Sequence, residues 1–388
     1  MRSPLVRVAA AVALALTLGA CSTSGGTTDT SGGGSAKIDA GAAQRVADLK
    51  ALPKFVAPGP AVDVSKLRGK KVFVLPLLTT NEYNNEIIKG LERVAAKAGI
   101  AMEVYSNEGQ PNQWVAGMNQ AIAKKVDLIL LSGGTDPRAL QPQIKAAKAA
   151  GIPVEVTMFW DTSAKNAPEC GELSVDCVSG VDAYVAAPYQ VASRANVDWI
   201  AVDSKGTAQI LVIKSDDAGP SPGQEAAIKD QLAKVCPSCK ATYVNVPISK
   251  WTTSVQSTVQ SELVRNPKID YILPLYDNLS TYTVAGITAA GKKGKVKVVT
   301  FNGTPAVLKD IQTGDTVAMD VGESLEGIAF AAMDNAFRLL AGMEPSRNEV
   351  VPVRVFDKTN VDEAGTPPTV NKGYGDLEQN YLTLWGLG

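Results

Sequence analysis

Between residues 71 and 99 the hydrophobic pattern changes period. Val72, Phe73, Val74 and Leu75 form an unbroken apolar run, as a strand buried on both faces of a parallel sheet requires. After Pro76 the spacing becomes helical. Ile87, Leu91, Val94, Ala95 and Ala98 recur on one face until Gly99, with Asn81 or Asn84 placed to cap the helix and Glu82 and Glu86 complementing its positive end. Thr79, Thr80, Asn81, Tyr83 and Asn84 then fall at the carboxyl end of a strand, where open α/β sheets bind ligands.

The same alternation continues along the chain. Strands are predicted at 100–105, 127–131, 154–159, 209–214, 241–246, 270–275, 295–301, 316–321 and 350–356. Helices are predicted at 42–52, around Trp114, Met118, Ala121 and Ile122, up to Ala150, and at 223–235, 251–265, 279–290, 305–312 and 324–341. Gly133 and Gly134 read as a turn closing one strand, and residues 162–177 read as an inserted surface loop. Strand-helix alternation is the pattern of βαβ units, so the fold class is α/β with parallel sheets flanked by helices. Some ten strands exceed what one sheet of a compact domain usually holds, which points to two lobes facing each other.

The amino-terminal segment adds a location. Arg2 and Arg7 precede an apolar run over 8–20 that is too short to span a bilayer, the pattern of an export signal. Leu18-Gly19-Ala20-Cys21 resembles the bacterial lipobox, which implies that residues 1–20 are removed and that Cys21 carries the lipid anchor. Residues 21–35, rich in Ser, Thr and Gly, read as a flexible tether, and 36–69, with Pro53, Pro58 and Pro60, as a strap leading into the first lobe.

Composition narrows the chemistry. The chain of 388 residues has a formal charge of -1, and without Arg2 and Arg7 it holds 36 basic against 39 acidic residues, so it offers no electrostatic footprint for nucleic acid. It contains no His, which excludes a Ser-His-Asp hydrolase, an H-E-x-x-H zinc site and a His general base. G-x-S-x-G, P-loop and dinucleotide-binding glycine motifs are also missing, and no cofactor or metal is expected. Beyond Cys21 there remain Cys170, Cys177, Cys236 and Cys239. Four cysteines in an exported chain allow three disulfide connectivities, of which the two local bridges, Cys170–Cys177 and Cys236–Cys239, are preferred. The Cys-Pro-Ser-Cys pair follows a helix instead of opening one, so it lacks the helix end that would stabilise a redox thiolate.

Taken together, the lipobox, the strand-end Asn81-Glu82-Tyr83-Asn84, the Asp127-Leu128-Ile129-Leu130-Leu131-Ser132-Gly133-Gly134 strand and the Val298-Val299-Thr300-Phe301-Asn302-Gly303-Thr304-Pro305 strand resemble a ribose- and galactose-type (type 1) periplasmic binding protein. Such proteins are the substrate-binding subunits of ABC importers, present in single-membrane bacteria as lipoproteins on the extracytoplasmic face. The similarity covers about 70–357. It implies two Rossmann-like lobes joined by a three-segment hinge, with a small-molecule ligand closed between them. The first lobe would be 70–187 with 322–342, the second 188–321 with 350–357, and 358–388 a carboxyl-terminal tail. The implied partners are the ligand, the permease subunits and the membrane through the anchor. The chain is expected to be a monomer and not an enzyme.

The resemblance also implies ligand positions. They are Thr80, Asn81, Tyr83 and Asn84 on the first lobe, and Phe159, Trp160 and Asp161 at the end of its fourth strand. On the second lobe they are Gln224, where relatives carry an Arg, then Tyr276, Asp277, Asn278, Asn302 and, near the last crossing, Glu323. These residues supply flat apolar faces and groups that donate and accept, without an Arg clamp for a carboxylate or phosphate. They suit a neutral solute such as a sugar, a polyol or a similar ring compound. Two alternatives stand beside the importer reading: a ligand sensor feeding a membrane receptor, and an anchored glycoside hydrolase using carboxylates such as Asp161 and Asp277.

Overall fold

The computed structural model describes residues 39–161, 179–314, 316–346 and 349–388. The leader with Cys21, the tether and the loop with Cys170 and Cys177 lie outside the described residues, as do the side chains of Trp160 and Asp161.

The chain begins with α1 (Ala42–Lys50) and enters a βαβ succession of β1 (Lys71–Pro76), α2 (Glu82–Ala98), β2 (Ala101–Val104), α3 (Pro111–Ala123), β3 (Leu128–Ser132), α4 (Gln141–Ala149), β4 (Val154–Asp161) and β5 (Ala183–Ala187). Its strands pair in the order β2-β1-β3-β4-β5, all parallel. The apolar run of β1 is explained by this centre position. Val72 and Val74 join one hydrophobic core, and Phe73 and Leu75 join the core on the opposite face.

The chain crosses at Pro188 and repeats the scheme with α5 (Tyr189–Asp203), β6 (Gln209–Lys214), α6 (Ser221–Val235), β7 (Lys240–Asn245), α7 (Trp251–Arg265), β8 (Tyr271–Pro274), α8 (Asp277–Ala289), β9 (Lys297–Asn302), α9 (Pro305–Thr313) and β10 (Val317–Glu323). The second sheet runs β7-β6-β8-β9-β10, the same order as the first. Through Ser324 the chain returns to α10 (Leu325–Leu340), which packs on α2 and on the first sheet. β11 (Glu349–Val350) then pairs in parallel with β5, and after Val351 and Pro352 comes β12 (Val353–Asp357), antiparallel to β10. The result is an α/β architecture of two Rossmann-like lobes joined by three short crossings.

Two departures from the sequence pattern have physical causes. The strand predicted over 350–356 is two strands in different sheets, divided where Pro352 cannot donate to a ladder. β5 and α5 have no counterpart among the predicted elements. Helix α5 lacks a polar face because α1 and α6 cover it, so Gln190, Ser193, Asn196 and Asp198 are all buried.

The strap and the tail also pass between lobes. α1 lies on α5 and β12, where Arg45 pairs with Asp198 at 2.7 Å and Lys50 with Asp357 at 2.6 Å. Further on, Phe55 meets Tyr381 edge-on at 5.1 Å, and the Val62 amide donates to the Leu384 carbonyl at 3.0 Å. Tyr381 belongs to the tail helix α11 (Leu377–Leu384), which packs on α10. Cys236 and Cys239 are bridged at the end of α6, with their Cα atoms 5.3 Å apart. Among the described residues no helix is long and apolar enough to cross a membrane.

Candidate functional site

Parallel strands of equal order bring the carboxyl ends of β1, β3 and β4 opposite those of β6, β8 and β9. Between them lies a small cavity of about 60 Å³. It adjoins a groove of about 470 Å³ at the mouth of the cleft, with Ile248, Trp251 and Asn278 shared by the two spaces. Among the described residues six aromatic side chains wall the cavity: Tyr83, Trp114 and Phe159 from the first lobe, Tyr189 from the crossing, and Trp251 and Tyr276 from the second.

On the first lobe Asn81 caps α2, its Oδ1 accepting from the Asn84 amide at 2.9 Å and from Asn84 Nδ2 at 3.1 Å. Asn84 is thereby fixed against Gly133, which must be Gly: its φ is +65°, and a Cβ there would stand 1.9 Å from Asn84 Oδ1. Trp114 is held by a 2.9 Å hydrogen bond from its indole to the Leu77 carbonyl. Met158 takes a φ of 62° near the end of β4, and the Tyr189 hydroxyl donates to its carbonyl at 2.7 Å. Beside it, Phe159 carries the Arg138 guanidinium 5.0 Å from its ring centroid.

On the second lobe the Trp251 indole donates to Ser215 Oγ at 2.7 Å, and its ring lies 5.9 Å from that of Tyr276. The Tyr276 hydroxyl donates to Gln224 Oε1 at 2.7 Å. Asp277 Oδ2 accepts from the amide and hydroxyl of Thr304 at 2.8 and 2.9 Å. Asn302 adopts a φ of 145°, held there by the Asp277 amide on its Oδ1 at 3.2 Å and by its own Nδ2 on Glu323 Oε1 at 2.8 Å. Burial lifts the Asp277 carboxyl to about 7 and that of Glu323 to about 8. It also pushes Asp320, next to them, well above the carboxylate range. Among the described residues Asn84 Oδ1 and Asn81 Nδ2 are buried without a hydrogen-bond partner, while the Tyr83 hydroxyl stands beside Glu323 and the Thr300 hydroxyl beside Asp277 without well-formed hydrogen bonds.

The structure therefore places Tyr83, Asn84, Phe159, Tyr276, Asn278 and Asn302 on the cavity, and Thr80, Asn81, Asp277 and Asn278 on the groove. Gln224 and Glu323 line neither space: Gln224 supports Tyr276 from behind, and Glu323 stands behind Asn302. Trp160 and Asp161 end β4, with side chains outside the described residues. Sequence reasoning missed Trp114, Tyr189, Trp251, Asp136 and Asp217 as wall residues. The two Trp were legible only as members of helices, although each stands within four residues of a helix start, near the strand ends.

Comparison with known proteins gives a consistent picture. A family described as a periplasmic binding protein domain matches residues 72–344. The fructose import binding protein FruE of Bifidobacterium longum is 27% identical over 239 residues, which are 58% of this chain and 66% of FruE, so the match spans just under two thirds of that relative. An ABC transporter solute-binding protein from Agrobacterium vitis, solved with α-D-tagatopyranose, superposes with a TM-score of 0.65 at 21% identity, over 75% of this chain and 96% of its own. A second from Agrobacterium vitis, solved with allitol, gives 0.66 at 19%, over 77% and 99%.

Proposed function

Because the chain belongs to the periplasmic binding protein family, we propose that it is an extracytoplasmic binding protein that captures a small, non-anionic solute between its two lobes and delivers it to the permease of an ABC importer. The solute class is that of a sugar, a polyol or a similar ring compound. Lipid on Cys21 and the tether over 21–35 would hold the protein at the cell membrane.

One observation carries this reading: an aromatic-walled cavity with a few convergent amides sits at the facing strand ends of two like sheets. Flat faces take the apolar side of a ring, and Asn84, Asn278 and Asn302 present groups that both donate and accept. The fructose importer relative and the tagatose and allitol complexes lend the solute class further support.

Native mass spectrometry of protein purified from its producing cells should find one small solute bound, recovered chemically unchanged. Calorimetry with that solute should then show Trp251→Ala weakening binding by about 1 to 3 kcal/mol, the scale of one well-buried side chain. An empty protein that gives no heat with any neutral sugar, amino sugar or polyol would overturn the reading.

A further inference from the structure

Resting on the solute-binding reading above, we propose that the captured solute carries a protonated nitrogen, held where the cavity meets the groove by the carboxyl of Asp277 and the Trp251 ring that both spaces share. The first support is charge. The described residues lining the cavity and groove include Glu82, Glu108, Asp136, Asp217 and Asp277, and no Lys or Arg. Asp136 is matched by Arg138 at 3.0 Å, and Asp217 accepts from the Ile248 amide at 3.0 Å. Asp277 is met by neutral donors and by no cation among the described residues. It is buried, its Oδ2 takes both bonds from Thr304, and its Oδ1, in no well-formed hydrogen bond, has the Thr300 hydroxyl beside it.

The second support is the inventory of unpaired atoms. Asn84 Oδ1 and, once ionised, Asp277 Oδ1 are acceptors on opposite lobes, each belonging to a residue 3% exposed or less, against one unpaired amide donor, Asn81 Nδ2. A hydroxyl would bring one donor together with lone pairs of its own, whereas an ammonium brings three donors and none. The ammonium also stabilises the charge that Asp277 takes on when it gives up its proton, which no hydroxyl does. The third support is the walls. Six rings of the described residues line a small space where a cation can find a ring face, as the Arg138 guanidinium does on Phe159.

The surroundings of Asp277 give the inference a signature. It faces Thr304 at the start of α9, Thr300 on β9, Glu82 on α2 and Asp320 on β10. Glu323 faces Asn302, Tyr83 and Asp277, with Tyr374 close by and Arg354 of β12 beyond it, the latter paired to Glu363. In this mostly acidic setting burial keeps the carboxyls protonated near neutral pH, so an arriving cation must expel a proton. Cation binding therefore strengthens as pH rises, while a neutral ring shows no such gain.

Calorimetry on the full chain, stripped of bound solute, tests this with matched pairs that differ in one group: D-glucosamine against D-glucose, D-galactosamine against D-galactose, and 1-amino-1-deoxy-D-fructose against D-fructose. The amine of the best pair should bind about tenfold tighter than its hydroxyl twin, or more, the scale of one charge-assisted contact. Its heat should depend on the buffer's ionisation enthalpy, reporting proton release, and Asp277→Asn should remove both effects. The proton-release measurement uses the wild-type chain and stands even if the variant folds poorly. A hydroxyl twin that binds as tightly, or amine binding without proton release, overturns this inference and leaves the solute-binding reading in place. Silence across the whole panel sinks the parent reading and the inference with it.

Discussion

Glu155 shows how a single buried residue sets the response of the whole fold to pH. It lies in β4 with no exposed surface, and its carboxyl has only the Asn335 amide of α10 beside it, in no well-formed hydrogen bond. Burial pushes its proton affinity well above that of an ordinary Glu, and the nearby Glu349 adds to this. Glu349 itself, bonded to the Tyr381 hydroxyl, is lifted to about 8, mainly by burial. A carboxyl whose folded pKa is raised holds its proton better folded than unfolded. Its contribution to stability is complete below the unfolded pKa and is lost as pH rises through the folded one. The protein should thus melt higher at pH 5.5 than at pH 8, each tenfold gain in proton affinity being worth about 1.4 kcal/mol. Glu155→Gln, neutral at both values, should flatten that difference in a calorimetric scan; an unchanged slope would show that Glu155 is solvated. None of this was legible in the sequence, where the Val-Glu-Val-Thr alternation of β4 puts Glu155 on a face that should meet water. That face is covered by α10, a helix from the far end of the chain. The cleft residues read more easily. Asn81, Tyr83, Asn278 and Asn302 follow apolar strand runs directly, so their place at strand ends is a local property. Trp114 and Trp251 reach the same cavity from helix starts, which no local period reveals.

Among the elements, α1 has the largest effect that its own sequence does not announce. Alone it is a nine-residue helix with a short apolar stripe, too short to be stable in water. It is held by Arg45, whose Nε and Nη2 donate to the two Asp198 oxygens at 2.7 and 2.9 Å. Asp198 is itself buried on α5 and accepts from Gln231 at 2.6 Å. Arg45→Ala leaves that carboxylate with only an amide for company. Because Arg45 is itself 43% exposed, water can enter and soften the loss, so a destabilisation of about 1 to 3 kcal/mol is expected. Urea unfolding would measure it, and Asp198→Asn should cost less, since it removes the charge along with the partner. A neutral Arg45→Ala would show that α1 is held by its apolar stripe alone. The same packing explains why α5 escaped the periodicity reading: a helix covered on two sides carries polar residues that face partners, and its pattern ceases to be amphipathic. Where an element meets one neighbour, as α7 does with its bounds at Trp251 and Arg265, the period alone sufficed.

At the scale of the molecule the two lobes are shut. A cavity of about 60 Å³ is well below the roughly 300 Å³ at which small-molecule pockets begin, and the walls touch across it. The Ala306 amide of the second lobe donates to Glu82 of the first at 3.3 Å, and Gly219 abuts the Phe159 ring. Solute entry thus requires the lobes to part about the crossings at Pro188, Ser324 and Val351–Pro352, where few residues connect the sheets. The strap and the tail add two further connections, so opening must also be accommodated by 51–61 and 358–376. Gly219 gives a direct handle on closure. A Cβ there would lie 2.5 Å from the Phe159 ring, which is flanked by the Arg138 guanidinium and has little room to move aside. Gly219→Leu should therefore prop the cleft open, pressing only on Phe159 at the edge of the first lobe's core. In small-angle scattering the wild type should contract when saturated with its solute, while the variant keeps the larger radius of gyration. Its affinity should fall about tenfold or more, because binding energy is then drawn from one lobe and not both. Circular dichroism and melting temperature close to wild type would confirm that the fold is intact. A Gly219→Leu chain that contracts and binds like the wild type would mean that solute capture does not need this closure.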